Sequence, residues 1–512
     1  MGSFLTGETW PWQVIEHINR YHFPHKTMSA PFFKYLKSVK GLALSKVRAF
    51  EFFLLVALAI GLGSRTLAMD PANLILPRPP MGADLWYRFG ADFNENNIRQ
   101  TVDHAATNGL VELGWKYVMI TDGWQGSRVN GKLTANSSKI SNLTNLIAYI
   151  HGHGMCAGIY SEPTEFTAGG NVGSGGFIEV DAATFADWGI DYVQFDMGLV
   201  GTDGEKIAFA NQFVTAIRKA SARPIGVYTS GFKTVDPVAL NILNCYRSTG
   251  DLGYPPGGTT LGASLWTNYL DHLDRTAANP EAIGPGHWAH PDWTPMVLPD
   301  ADMAQIIFGM NAMIAAPLFA PDFYTRDEDP RHFLLYTNRE IISIDQDPLG
   351  RQGQPVWQQG PAQVWSKLLA DGSRAVALLN RSTNSTAVLT ANWHDLGLFP
   401  GQAALVKNCW PPWNTFTTNG SFSAAIGRMH AEFFKIVPLK PNSTNWFEAI
   451  PNRDSINFKV GGQFLNACTV EISPDLTHWT EQSTITNTCG IIRFTDATSH
   501  GPGARFYRLN YR

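Results

Sequence analysis

Between residue 79 and about residue 346 the chain repeats one pattern eight times: a short apolar run followed by an amphipathic stretch. The apolar runs fall at 80–86, 117–122, 156–161, 191–196, 224–229, 245–249, 286–290 and 316–320. Runs apolar throughout suit strands covered on both faces, the normal condition of a parallel sheet. The stretch EKIAFANQFVTAIRKA (205–220) is typical of what lies between them. Its periodicity predicts a helix with Ile207, Ala210, Val214 and Ile217 on the buried face and Lys206, Arg218 and Lys219 on the other. Thr202 and Asp203 stand ahead of it as candidate caps. Eight strand-then-helix units at this spacing predict an α/β fold, a (β/α)8 TIM barrel over residues 69–348.

With 512 residues the chain exceeds one ordinary core, and the texture changes after Pro348. Helical periodicity stops, and alternating runs such as PVWQQ, QVWSKLL, AVALLNR and AVLTANW are separated by turn clusters. These predict an antiparallel β-sandwich over 349–439. The polar segment KPNSTN then leads to a small β-rich C-terminal module, 445–512.

Residues 1–68 read as an N-terminal extension and signal peptide. The apolar segment FFLLVALAIGLG (52–63) is too short to span a bilayer. Lys37, Lys40, Lys46 and Arg48 precede it, and Thr66-Leu67-Ala68 follows with small residues suited to cleavage, which places a signal peptide at 46–68. The long stretch ahead of it fits a true start at Met28 or a retained anchor. The mature protein is expected outside the cytoplasm, secreted, periplasmic or on the cell surface, with no membrane attachment after cleavage.

The formal charge of −4 supplies no basic field for nucleic acid or an anionic membrane. Five cysteines are too few for a disulfide scaffold, although Cys468 and Cys489 are close enough in sequence to pair. His287 and His290 form a lone pair without metal-site spacing, so no metal is expected, and no cofactor motif is present.

In a (β/α)8 barrel the active site lies at the carboxyl ends of the strands. Here those ends carry acids and aromatics: Asp84 and Trp86, Asp122 and Trp124, Tyr160 and Glu162, Asp196, Tyr228, Arg247 and Asp251, Asp292 and Trp293. The fourth run, DYVQFDMG (191–198), embeds Gln194 in an apolar strand and finishes on Asp196. Converging carboxylates with stacking rings are what glycoside cleavage requires, one acid to protonate the leaving oxygen and one to attack or to activate water.

Specific runs carry a resemblance. TFADWGIDYVQFD (184–196) resembles the "WG(V/I)DYLKYD" motif of clan D glycoside hydrolases, family 27, the α-galactosidase and α-N-acetylgalactosaminidase group. RPPMGADLWYRF is similar to that family's "TPPMGWNSW", YVMITDGWQG to "INIDDGW" and CAGIYSE to "LGIYS". GPGHWAHPDWTPM resembles "GPGGWNDPDML", and MIAAPLFAPDF resembles "AIMAAPLLLSND". The six runs occur in family order over residues 78–348, and the family also carries a β-sandwich behind its barrel.

The resemblance implies a retaining glycoside hydrolase with an oligo- or polysaccharide substrate. Asp196 matches the nucleophile and Asp251 the acid/base, while Trp86, Asp122, Tyr160, Arg247 and Asp292 match positions lining the sugar site. Gln194 stands where galactosidases have a lysine reaching the sugar hydroxyls, and Thr121 replaces the first aspartate of "DDGW". Met197-Gly198 replaces a cysteine that is disulfide-bonded in many relatives, and the fifth-strand "YSxCEW" motif is YTSGF, with Gly231. The hydrolytic pair is kept while part of the galactose-reading set is changed. The expected function is therefore an exported, α-galactosidase-like glycosidase. The alternatives are the same chemistry on another sugar (α-glucan of the isomalto-dextran type or a β-L-arabinopyranoside) and a catalytically silent carbohydrate-binding protein.

Overall fold

The computed structural model describes residues 74–511 apart from 233–241, 248, 253–262, 293–299, 324–329, 412–413, 440–445, 452–454, 462–466, 487–490 and 497–504. The signal-peptide segment, Trp293 and Cys489 lie outside the described residues. Among those described, no helix is long and apolar enough to cross a membrane.

Eight strands form one all-parallel sheet: β1 Met81–Asp84, β2 Trp115–Ile120, β3 Cys156–Ser161, β4 Tyr192–Phe195, β5 Gly226–Thr229, β6 Cys245–Arg247, β7 Trp288–His290 and β8 Leu318–Ala320. Their order across the sheet is β8-β1-β2-β3-β4-β5-β6-β7, chain order around a ring. In a flat sheet β4 and β8, four strands apart, would be separated by about 19 Å. Instead the rings of Tyr192 on β4 and Phe319 on β8 stack with centroids 6.1 Å apart. Only a sheet curled into a barrel brings them together. Tyr192 also meets Tyr117 of β2 at 5.5 Å and Tyr228 of β5 at 6.4 Å, so one aromatic layer fills the lumen. The lumen has little space to spare: a Cβ on Gly226, the β5 partner of Tyr192, would fall 2.8 Å from the Tyr192 ring.

Helices cover the outside: α1 Glu95–Thr107, α2 Leu143–Gly152, α3 Ile178–Trp188, α4 Asp203–Ala220, α5 Ala263–Thr276 and α6 Ala301–Met313. Thr202 caps α4 in a reciprocal capping box with Glu205. One expectation for α4 fails. Lys206 is not on the solvent face but 2% exposed, in register with buried Ala210, Phe213 and Ile217 on the 3.6-residue stripe. The first strand also ends earlier than the apolar run predicts. The Asp84 carboxylate accepts the Trp86 backbone N–H at 3.1 Å, turning the chain out of the strand into a one-turn helix, Trp86–Phe89.

Beyond the barrel, strands β9 Gln354–Gln359, β10 Ala362–Leu368, β11 Arg374–Asn380, β13 Ala403–Asn408, β14 Thr415–Asn419 and β16 His430–Pro438 form an antiparallel sheet. The pair β12 Ala387–Asn392 and β15 Ser421–Ile426 forms a second sheet. Period-two alternation gives the larger sheet two buried faces. Ala375, Ala377, Leu379, Ala431 and Phe433 join the barrel core, whereas Val376, Leu378, Phe434 and Ile436 pack with Leu389, Ala391, Trp393 and Phe422 in a separate core. Two further three-stranded sheets, over Trp446–Pro451, Ile456–Gly461 and Ile491–Asp496 and over Ala467–Ser473, Thr480–Thr486 and Phe506–Tyr511, make up the C-terminal part.

The barrel and the larger sheet meet tightly at α6. A Cβ on Gly309 would lie 2.4 Å from the Phe433 ring, with both residues buried. Gly309→Val is expected to destabilise the protein by about 1–3 kcal/mol through overpacking, read as a lower urea midpoint. An unchanged midpoint would mean that this junction is loosely packed.

Candidate active site

Strand alternation explains the mixed character of the fourth strand. Phe195 points outward and stacks on Phe213 of α4 at 4.1 Å. Tyr192, two residues from Gln194 and four from Asp196, points into the lumen. Gln194 and Asp196 therefore climb the same inner face toward the carboxyl rim. In register, Gln194 is flanked by Tyr160 on β3 and Tyr228 on β5. Gln194 is buried, yet among the described residues no hydrogen bond reaches its side-chain amide. Asp196 is half-buried, and its Oδ1 accepts the Gly198 backbone N–H at 2.8 Å.

Arg247, at the end of β6, ties the opposite side together. Its Nη1 donates to Asp292 at 3.0 Å and its Nη2 pairs with Asp251 at 2.5 Å. The Asp251 side chain is 79% exposed, at the mouth, whereas Asp292 is buried and also accepts the Leu252 backbone N–H at 2.8 Å. Burial opposes the Arg247 charge. Asp292, Tyr228, Asp251 and Asp196 more than offset that, so the guanidinium stays protonated well above its ordinary range. Arg247 thus pairs directly with Asp251 and lies within electrostatic reach of Asp196. Asp292 adopts a φ of 138°, unusual for a residue with a side chain.

Asp122 is buried just past β2. It accepts from Gln125 Nε2 at 3.0 Å, Thr167 Oγ1 at 2.9 Å and Asn171 Nδ2 at 3.3 Å. A carboxylate has roughly four acceptor positions, so about one is left for a ligand. Tyr160 donates its hydroxyl to Glu162 Oε1 at 2.6 Å, and the Ala168 N–H reaches the same oxygen at 2.7 Å. Trp86, two residues past Asp84, is 41% exposed, a flat apolar surface open to solvent.

The expected site residues Trp86, Asp122, Tyr160, Gln194, Asp196, Arg247, Asp251 and Asp292 all sit at the carboxyl ends of their strands. Tyr160 lies within electrostatic reach of Asp196, Glu162 and Asp122, which joins the β2–β3 side to the end of β4. Other contributors escaped the sequence reading. Tyr87 is surrounded by Asp292, Asp84, Arg247 and Tyr228. Gln125, Thr167 and Asn171 orient Asp122, two of them from the loop after β3. Gln125 follows Asp122 by three residues and offered a local signal. Thr167 and Asn171 offered none, because their partner is more than forty residues away.

Two further acids are held partly protonated. Burial pushes Glu162 up to about 6, with the Asp196 and Asp122 charges adding to it. Burial raises Asp84 to about 7, against hydrogen bonds from the Trp86 N–H and the Thr121 hydroxyl. His290, on β7 beside the Tyr228 ring, is driven down to about 3 by burial and by Arg247, and so is neutral.

A barrel rim of this kind, carboxylates around one guanidinium with an open tryptophan, defines a glycoside hydrolase. The profile of the family described as alpha galactosidase A matches residues 79–347, and that of the alpha galactosidase C-terminal beta sandwich domain matches 359–435. The chain belongs to glycoside hydrolase family 27, the alpha-galactosidase family. It is 30% identical to the alpha-galactosidase of Cyamopsis tetragonoloba over 372 residues, 70% of this chain and 86% of that one. It is 33% identical to alpha-galactosidase A of Cellvibrio japonicus over 316 residues, 60% and 77% of the two chains. In fold it is similar to alpha-galactosidase I from Mortierella vinacea, with TM-score 0.63, 23% identity and coverage of 71% and 97%. The family-27 β-L-arabinopyranosidase from Geobacillus stearothermophilus gives TM-score 0.61, 19% identity and coverage of 72% and 98%.

Asp84 yields a pH prediction. Below the ordinary carboxylate value of 3.8 it is protonated in both folded and unfolded chains; between 3.8 and about 7 only the unfolded chain ionises. Its contribution is therefore fully present below 3.8 and lost as pH rises to about 7. Asp84→Asn removes that loss, so its stability relative to wild type should improve from pH 4 to pH 7, by up to about 4 kcal/mol. Urea unfolding at both pH values reads the difference, and a pH-independent difference would contradict the assignment.

Proposed function

We propose that this alpha-galactosidase-like hydrolase is an exported, retaining glycosidase that works through a covalent glycosyl-Asp196 intermediate. The supporting observation is that Asp251, at the mouth, pairs with Arg247, whose guanidinium lies within electrostatic reach of Asp196 on the lumen face of β4. In this reading an Asp196 oxygen attacks the anomeric carbon as the bond to the leaving oxygen breaks, and Asp251 gives that oxygen its proton. Asp251 then takes a proton from water, which attacks the anomeric carbon and releases Asp196. A retaining pair works at a carboxylate separation of about 5–5.5 Å. Trp86 would stack on the sugar, and Asp122, Tyr160, Gln194, Arg247 and Asp292 would hold its hydroxyls. Export rests on the apolar segment 52–63 and its flanks.

The names of the relatives make an α-galactoside the first substrate to consider. A specific observation favours a second sugar. Gln194 and Thr121 are both neutral side chains, so neither offers a charged partner to a ligand. Neutral hydrogen bonds are roughly half as strong as charge-assisted ones, and lost partners reduce discrimination sharply. An isomaltose unit of dextran or a β-L-arabinopyranoside fits such a site as a variant of the same chemistry.

A panel of nitrophenyl glycosides together with dextran and galactomannan, with the product anomer followed by NMR, tests the reading. Retention of configuration is expected, with α-galactoside turnover weak beside that of another glycoside. An inverted product would refute the mechanism. Should α-galactosides exceed every other sugar, with kcat/KM within about 10⁴–10⁸ M⁻¹s⁻¹, the proposed shift in specificity is wrong.

The two carboxylates predict different failures. Asp196→Asn should fold and lose on the order of 10⁴-fold or more in turnover, because a carboxamide forms no glycosyl ester. Asp251→Ala should slow substrates with poor leaving groups far more than activated aryl glycosides, and azide should restore the aryl rate. Equal losses on both substrates without azide rescue would assign the proton transfer to another group.

A further inference from the structure

Lys206 is the most deeply buried cation near the site, and the chemistry proposed above does not use it. It sits in the first turns of α4, where the helix dipole disfavours a positive charge, and a buried lysine is costly unless it has partners. It has two. Nζ donates to the Gly231 carbonyl at 2.5 Å and approaches Asp203 Oδ1 at 3.3 Å. Gly231 lies just past β5 with φ +86°, in the left-handed region that favours glycine. A Cβ there would fall 2.8 Å from the Met197 carbonyl carbon and 2.9 Å from the Gly198 nitrogen. The segment after β5 thus lies backbone to backbone against the turn after β4. That same Gly198 nitrogen donates to Asp196 Oδ1.

We propose that Lys206 is a positioning residue for Asp196, acting through Gly231 and the Met197-Gly198 turn. Pulled onto α4 by Lys206, the Gly231 carbonyl holds its segment against the turn. The turn presents the Gly198 N–H to Oδ1, and among the described residues no hydrogen bond reaches Oδ2. Rotation of the carboxylate is restrained, and Oδ2 is the oxygen that attacks. The contact joins the two places where the sequence departs from the family's cysteine-bearing motifs, so a polar tether holds together segments that carry no cysteine here. This inference rests on the assignment of Asp196 as nucleophile.

The test uses Lys206→Met, which keeps the apolar stem, with Lys206→Arg, Gly231→Ala and Asp196→Asn alongside. The probe is the 5-fluoro glycosyl fluoride of the sugar whose nitrophenyl glycoside the wild type cleaves fastest. Covalent labelling is followed by intact mass. Lys206→Met should reach the wild-type labelled fraction about 10–100-fold more slowly, since a displacement of about 1 Å costs on that order. Its KM should stay within about threefold, because ground-state binding is untouched. Lys206→Arg should recover part of the rate. Gly231→Ala, whose Cβ intrudes on the Gly198 nitrogen, should slow labelling similarly and carries the test if Lys206→Met does not fold. Labelling at the wild-type rate, or a reduced final fraction reached at that rate, would refute the positioning role while leaving the nucleophile in place. Label mapped to a residue other than Asp196, or an active Asp196→Asn, would instead overturn the nucleophile assignment.

Discussion

The contact between Tyr192 and Phe319 across the barrel is the constraint from which the rest of the molecule follows. A parallel sheet closed on itself has an interior only as wide as the side chains that fill it. Once a layer of tyrosine and phenylalanine rings occupies the lumen, anything polar on an inward position must sit above that layer. This is why Gln194 and Asp196 come after Tyr192, and why Arg247 closes its strand. The packed floor leaves ligand access only at the carboxyl rim. It also removes water from beneath the acids, which raises Glu162 and Asp84 and keeps His290 neutral.

Much of the barrel was readable in the sequence because both of its periods are written there. Apolar runs covered by helices outside and by packed side chains inside stand out from their surroundings, and the fifth to seventh strands differ from expectation only at their ends. Local polar chemistry caused the errors. Asp84 turned its strand early by capturing the Trp86 N–H. The usual place of a lysine puts Lys206 on the solvent face; its destination, the Gly231 carbonyl just past β5, is a tertiary fact with no trace in helical period.

The site divided along the same line. Residues that close strands were found, since a barrel sends every strand end to one rim and the family resemblance gave them roles. Their supporting partners were not. Thr167 and Asn171 reach Asp122 from a loop, Ala168 offers only its backbone, and Tyr87 enters from a helical turn just past the first strand. Such contacts depend on how loops drape over the rim, which no periodicity encodes.

The larger antiparallel sheet spends both of its faces, one on the barrel and one on its own small core. Modules joined end to end can be exchanged, because each keeps its hydrophobic side to itself. Here β11 supplies alternate residues to two cores at once. Cutting the chain between barrel and sandwich would strip Ala375, Ala377, Leu379 and Phe433 from one and leave apolar surface on both. The barrel and its sandwich are therefore expected to fold and unfold as one object, whatever the loops at the rim come to recognise.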